Sequence, residues 1–83
     1  MYRAQVTITL KPTVLDAQGA TIERALHNLG FAEVDGVRMG KHIEVAVNAA
    51  DADTARRQVE EMCQKLLANP IIEEYRVEVT SGG

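Results

Sequence analysis

Val34-Asp35-Gly36-Val37-Arg38-Met39-Gly40-Lys41-His42-Ile43-Glu44-Val45-Ala46-Val47 is the stretch on which the fold turns. Val37 and Met39 share one parity, Ile43, Val45 and Val47 share another, and Gly40 stands between the two sets. Alternation at a period of two marks half-buried strands, and a glycine between two such runs marks a hairpin. The stretch therefore predicts two short strands joined at Gly40. Val34 is out of phase with Val37, which predicts a bulge or kink at Asp35-Gly36.

Toward the N-terminus, Tyr2, Ala4, Val6, Ile8 and Leu10 alternate with Arg3, Gln5, Thr7, Thr9 and Lys11, a strand with one apolar and one polar face. Pro12 cannot donate to a ladder, so this strand stops near Lys11. Asp16 is suited to cap a helix in which Ile22, Ala25, Leu26 and Leu29 recur at helical spacing. Gly30 supplies the left-handed residue of a Schellman stop, and Phe31 the apolar residue that folds back toward Leu26.

Toward the C-terminus, a second helix is predicted from Asp51 or Asp53 to Ala68, with Ala52, Ala55, Val59, Met62, Cys63 and Leu66 as its apolar stripe. Arg56, Arg57, Glu60, Glu61 and Lys65 face water, and Glu61 precedes Lys65 in the favourable i, i+4 order. Pro70 ends the helix by pushing Asn69 out of helical backbone. Tyr75, Val77 and Val79 then mark a last strand, opposite Glu74, Arg76 and Glu78. The predicted order is βαββαβ, a split-βαβ or ferredoxin-like α+β sandwich. Its four-stranded antiparallel sheet would carry both helices on one face. Residues 1–80 form one domain in this reading, and 81–83 a flexible tail.

Composition narrows the function classes. With 83 residues the chain is one domain, and 11 of its hydrophobic residues are Ala, so the core is thin. A thin core and open sheet edges favour a homo-oligomer. One cysteine forms no internal disulfide, and no signal peptide or apolar run of membrane-spanning length is present, which predicts a cytoplasmic domain with no membrane partner. A net charge of −3 argues against nucleic acid, which attracts clustered positive charge.

No residue set predicts catalysis, metal or cofactor binding. His27 and His42 lack ligand-spaced companions and read as surface histidines. Cys63 falls inside the second helix's stripe and reads as a buried, inert thiol. Gly36-Val37-Arg38-Met39-Gly40-Lys41 fails as a phosphate loop: the glycine spacing is short, His42 replaces the required hydroxyl, and no helix follows. Gly82-Gly83 resembles a sulfur-carrier terminus, but those proteins place a hairpin before their first helix. The alternative function from the same plan is a regulatory domain that binds an amino acid at a dimer interface. It lacks a glycine-rich loop after the first strand, where Lys11-Pro12-Thr13 stands.

Four segments occur in an order that is familiar: Val14-Leu15-Asp16-Ala17-Gln18-Gly19, Val37-Arg38-Met39-Gly40-Lys41, Met62 through Pro70, and Ile72-Glu73-Glu74-Tyr75. Together they resemble the PurS family, the small subunits of phosphoribosylformylglycinamidine (FGAM) synthase, over nearly the whole chain. One departure is Ala17, where the family usually has Pro; both suit the first turn of a helix. The resemblance implies a non-catalytic subunit in purine biosynthesis. It would assemble a glutaminase subunit with a large synthetase subunit, so that ammonia from glutamine reaches ATP-activated formylglycinamide ribonucleotide. ATP and Mg would belong to the large subunit. The partners implied are a second copy of the chain and those two subunits. Asp16, Gln18, Gly19, Arg38, Gly40, Lys41, Asn69, Glu73 and Tyr75 are the expected interface residues. Arg38 and Lys41 stand out, because two solvated cations at a turn stabilise little, so they are expected to meet an acidic patch on a partner.

Overall fold

The computed structural model describes residues 1–82. Three strands form the sheet: β1 (Tyr2–Leu10) lies between β2 (Gly40–Val47) and β3 (Glu73–Ser81), antiparallel to both. Helix α1 spans Ala17–Asn28 and α2 spans Ala52–Met62, followed by one π-helical turn over Cys63–Leu67.

The predicted four-stranded sheet is thus corrected to three strands. The segment before Gly40 forms no ladder; residues 34–39 run without regular structure, and Gly40 opens β2 instead of turning a hairpin. Only three residues separate Gly36 from Gly40, the short end of the range of strand lengths. Gly36 takes a φ of 118°, and Met39 gives its N–H to the Asp16 carboxylate at 2.7 Å. Gly40 is required for a different reason: a Cβ there would lie 2.3 Å from the Ile8 carbonyl oxygen.

The alternation in β1 holds. Ala4, Val6 and Ile8 are buried, and Val6 sits between Ile43 and Val77 in register. They form one core with Val47, Val77 and, from the helical layer, Ala55, Val59, Cys63 and Ala68. Asp51 caps α2 by accepting from the Thr54 N–H at 2.7 Å. The π turn closes with the Ala68 N–H donating to the Cys63 carbonyl at 3.0 Å. One extra residue in that turn brings Ala68 to the core side and turns Leu66 outward, 82% exposed. Leu66 therefore leaves the stripe in which its spacing had placed it. Arg56, assigned to solvent by its spacing, reaches across to donate to the Val77 carbonyl at 2.8 Å and blunts the β3 edge.

Helix α1 has the predicted ends. Asp16 caps it, Gly30 takes a φ of 103°, and the Gly30 and Phe31 N–H groups donate to His27 and Leu26 carbonyls as a Schellman stop requires. His27 is not merely solvated, since its Nε2 lies 2.8 Å from the Val34 carbonyl and ties the connector to the helix end. The helix does not cover the sheet, however. Gly19 is its one buried residue, while Leu29 and Phe31 are 73% and 49% exposed. The molecule is accordingly long, 50 × 27 × 14 Å, with a radius of gyration of 16.1 Å. A compact chain of this length would have about 12 Å. The expectation of two helices packed on one face is corrected to one.

At the other terminus, β3 continues through Ser81 and Gly82 donates its N–H to the Met1 carbonyl at 3.1 Å. Of the expected tail, Gly83 lies outside the described residues.

Candidate functional site

The nine residues expected at an interface converge where β1 ends and where β2 and β3 begin. Register explains the arrangement. Ile8 pairs with Lys41 on one side and Tyr75 on the other, and Leu10 pairs with Glu73, so Lys41 and Glu73 flank the end of β1 on its apolar face. Thr9 pairs with Gly40 and Glu74, which puts Glu74 on the opposite, polar face. The neighbours Glu73 and Glu74 thus serve the two faces of the sheet separately.

Each glutamate holds a cation. Lys41 Nζ lies 3.7 Å from Glu73 Oε2, and Arg38 Nη2 lies 3.6 Å from Glu74 Oε1. Arg38 also donates to the Leu10 carbonyl. The start of β2 is therefore strapped to the start of β3 over both faces. Most of these charges are half-exposed, so each pair contributes at most about 1 kcal/mol. Glu73, with its side chain only 16% exposed, is the better ordered partner. Its Oε1 accepts from the Asn69 N–H at 2.7 Å, while Asn69 Oδ1 accepts from the Ile71 N–H at 3.1 Å. Tyr75 accepts a bond from Gln64 Nε2 at 2.7 Å, joining the π turn to β3.

Asp16 completes the corner. Its Oδ1 accepts from the Gly19 N–H at 2.8 Å and its Oδ2 from the Met39 N–H at 2.7 Å. These two amides, Gly19 first, hold its carboxyl below the usual range, with the Arg38 charge assisting. Asp16, Gln18, Lys41 and Glu73 border a hollow of about 240 Å³ floored by Ile8 and Leu10. On the other face, Arg38, Glu74, Thr7, Thr9 and Arg76 border one of about 350 Å³.

The cations at this corner are thus paired within the chain, and with Asp16, Glu73 and Glu74 beside Arg38 and Lys41 the cluster is not basic. Sequence reasoning missed Glu74 and the Met39 amide. The first was legible in the parity of β3 relative to Glu73; the second was not, since a backbone donor carries no residue-type signal. Elsewhere, burial followed by the Glu60 charge pushes the Cys63 thiol up, which makes it a poor nucleophile. Among the described residues no group of three or more His, Cys, Asp or Glu side chains converges on a metal site, and no helix is long and apolar enough to cross a membrane. The corner offers surface shape and hydrogen-bonding groups.

A second surface is apolar. Val45, Met62, Leu66 and Leu67 line a groove of about 680 Å³ beside α2.

Comparison with known proteins gives consistent results. The family model for PurS, phosphoribosylformylglycinamidine (FGAM) synthase, matches residues 3–81. The PurS subunit of that synthase from Bacillus subtilis is 47% identical over 79 residues, covering 95% of this chain and 93% of that protein. The crystal structure of Methanocaldococcus jannaschii PurS, a subunit of formylglycinamide ribonucleotide amidotransferase, superposes with a TM-score of 0.89 at 43% identity and covers 100% of both chains. A chain in the structure of PurLQS from Thermotoga maritima matches with a TM-score of 0.87 at 33% identity, covering 95% of this chain and 96% of that one.

Proposed function

The chain belongs to the PurS family of FGAM synthase subunits, and from that premise we propose that it is the small, non-catalytic subunit of this enzyme in cytoplasmic purine biosynthesis. Its task is to hold a glutaminase subunit against a synthetase subunit. ATP and Mg are bound by the synthetase. Ammonia in neutral water is mostly protonated and diffuses away, so a closed passage between the two active sites preserves it as a nucleophile. The observation that carries this reading is the full-length likeness to a chain solved within PurLQS.

Polar and apolar surfaces divide the work. The corner built by Asp16, Arg38, Lys41, Glu73 and Tyr75 docks the other subunits as a charge-balanced surface whose side chains are already oriented. The exposed stripe of α1 and the groove beside α2 are two apolar faces that the chain leaves open, and a second copy covers them. Burying such surface stabilises by about 25 cal/mol per Å², which is the driving force for a homodimer or higher assembly.

The test is reconstitution. With the synthetase and glutaminase subunits, glutamine-dependent formation of FGAM should require this chain, and ammonia-driven formation should depend on it less. Equal rates with and without the chain would refute the assembly role.

A further inference from the structure

The two helix caps use their carboxylates differently. Asp51 offers Oδ1 to the Thr54 N–H, inside its own first turn. Asp16 does the same for Gly19 with Oδ1, then spends Oδ2 on the Met39 N–H, 23 residues further along the chain. A cap needs one oxygen, and Ser, Thr or Asn supplies it as well as Asp. Accepting two amides on two separate oxygens takes a carboxylate. The surroundings are shaped to the second bond. A Cβ on Gly19 would come within 2.3 Å of the Val37 carbonyl oxygen and 2.6 Å of Asp16 Oδ2, so the helix start and the 37–39 segment fit only with glycine there.

We infer that Asp16 is a positioning residue of the docking corner, holding Met39 so that the neighbouring Arg38 is presented in one geometry and α1 leaves the sheet in one direction. This rests on the docking reading given above. The bond spans the junction between the outlying helix and the sheet, where the main chain alone provides a six-residue approach from Lys11 to Asp16 and an eleven-residue return from Leu29 to Met39. Without it, Arg38 keeps its side-chain partners but the backbone bearing it is free to shift.

The test uses Asp16→Asn, with Asp51→Asn as the matched control, in the complex reconstituted from this chain and the two other subunits. Asparagine keeps an oxygen for Gly19 and turns an N–H toward the Met39 N–H, donor against donor. The concentration of chain giving half-maximal glutamine-dependent activity should rise about tenfold or more for Asp16→Asn, the scale of one hydrogen bond to a charged group. Asp51→Asn should leave it within about twofold. Amide exchange in the isolated chain should quicken at Met39 while Gly19 stays protected. Combining Asp16→Asn with Arg38→Ala should cost little beyond the larger single effect, because both act through one surface. Asp16→Ser, long enough to cap and too short to reach Met39, should reproduce these results. The inference is overturned if Asp16→Asn behaves like Asp51→Asn, or if its effect and that of Arg38→Ala multiply. It is also overturned if both Asp16 variants unfold, which would assign the residue to folding. A wild-type chain that fails to support the glutamine-dependent reaction overturns the docking reading together with this one; a competent wild type with an unaffected Asp16→Asn overturns this one alone.

Discussion

Helices α1 and α2 are written in the same grammar and meet opposite fates. Both begin at an aspartate cap and both carry apolar residues at helical spacing, yet α2 buries Ala55 and Val59 under the sheet while α1 buries only Gly19. The connections account for the difference. Four residues, 48–51, join β2 to α2, a link short enough to turn the helix back over the sheet, where it packs against β1 and β3. Helix α1 has longer links on both sides and is clasped through Asp16 in an outward pose. An amphipathic pattern states that a face must be buried. It does not state against which molecule.

The sharpest way to test this contrast is to injure the folded helix. Val59→Ala removes two buried methyl groups from a site with no exposure, which should cost about 2–3 kcal/mol. The thermal midpoint of the isolated chain should fall by about 10 °C or more. A shift under a few degrees would show that α2 is no better packed than α1.

The matching injury to α1 is Ile22→Asp together with Leu29→Asp. Both side chains are exposed in the single chain, so helicity should survive while self-association is lost. Light scattering at micromolar concentration should then report the mass of one chain for the variant and of two or more for the wild type. Equal masses would mean that the α1 stripe is not what a second copy covers.

Gly19→Ala sharpens the contrast from within α1. In an exposed helix interior, Gly to Ala gains up to about 1 kcal/mol. Here the new Cβ would press on the Val37 carbonyl, so the substitution should lower the thermal midpoint. A rise would show that the junction gives way freely.

The smallest effect concerns acid. The Thr54 N–H, then its hydroxyl, hold the Asp51 carboxyl below the ordinary aspartate range. A lowered native pKa means that the unfolded chain binds more protons in acid. The stabilisation is complete above about pH 4 and drains away as pH falls through the lowered value. Asp16 has the same sign from Gly19 and Met39. Between pH 6 and pH 3 the thermal midpoint should decline, and Asp51→Ala should flatten part of that decline. An unchanged slope would show that this carboxylate is not linked to folding.

Much of the molecule was open to reading before its shape was known. The period of two in Tyr2–Leu10, the cap at Asp16, the Schellman stop at Gly30-Phe31 and the break at Pro70 are local rules, enforced by sterics and hydrogen bonds within a few residues. The resemblance carried by four short segments identified the family. The sequence could not show that Arg38 and Lys41 already have glutamate partners, because strand register sets which charges meet across a sheet.

The sequence by itself determined the caps of both helices, the two faces of β1, and which family the chain resembles. Only the tertiary structure decided that residues 34–39 remain unpaired, that Leu66 turns outward after a π turn, and that α1 stands away from the sheet. Each of those outcomes depends on a competition between distant groups: the Asp16 carboxylate against a strand ladder for the Met39 N–H, Ala68 against Leu66 for the core, and another surface against this chain's own sheet for the face of α1. Local propensity has no term for the loser of such a contest.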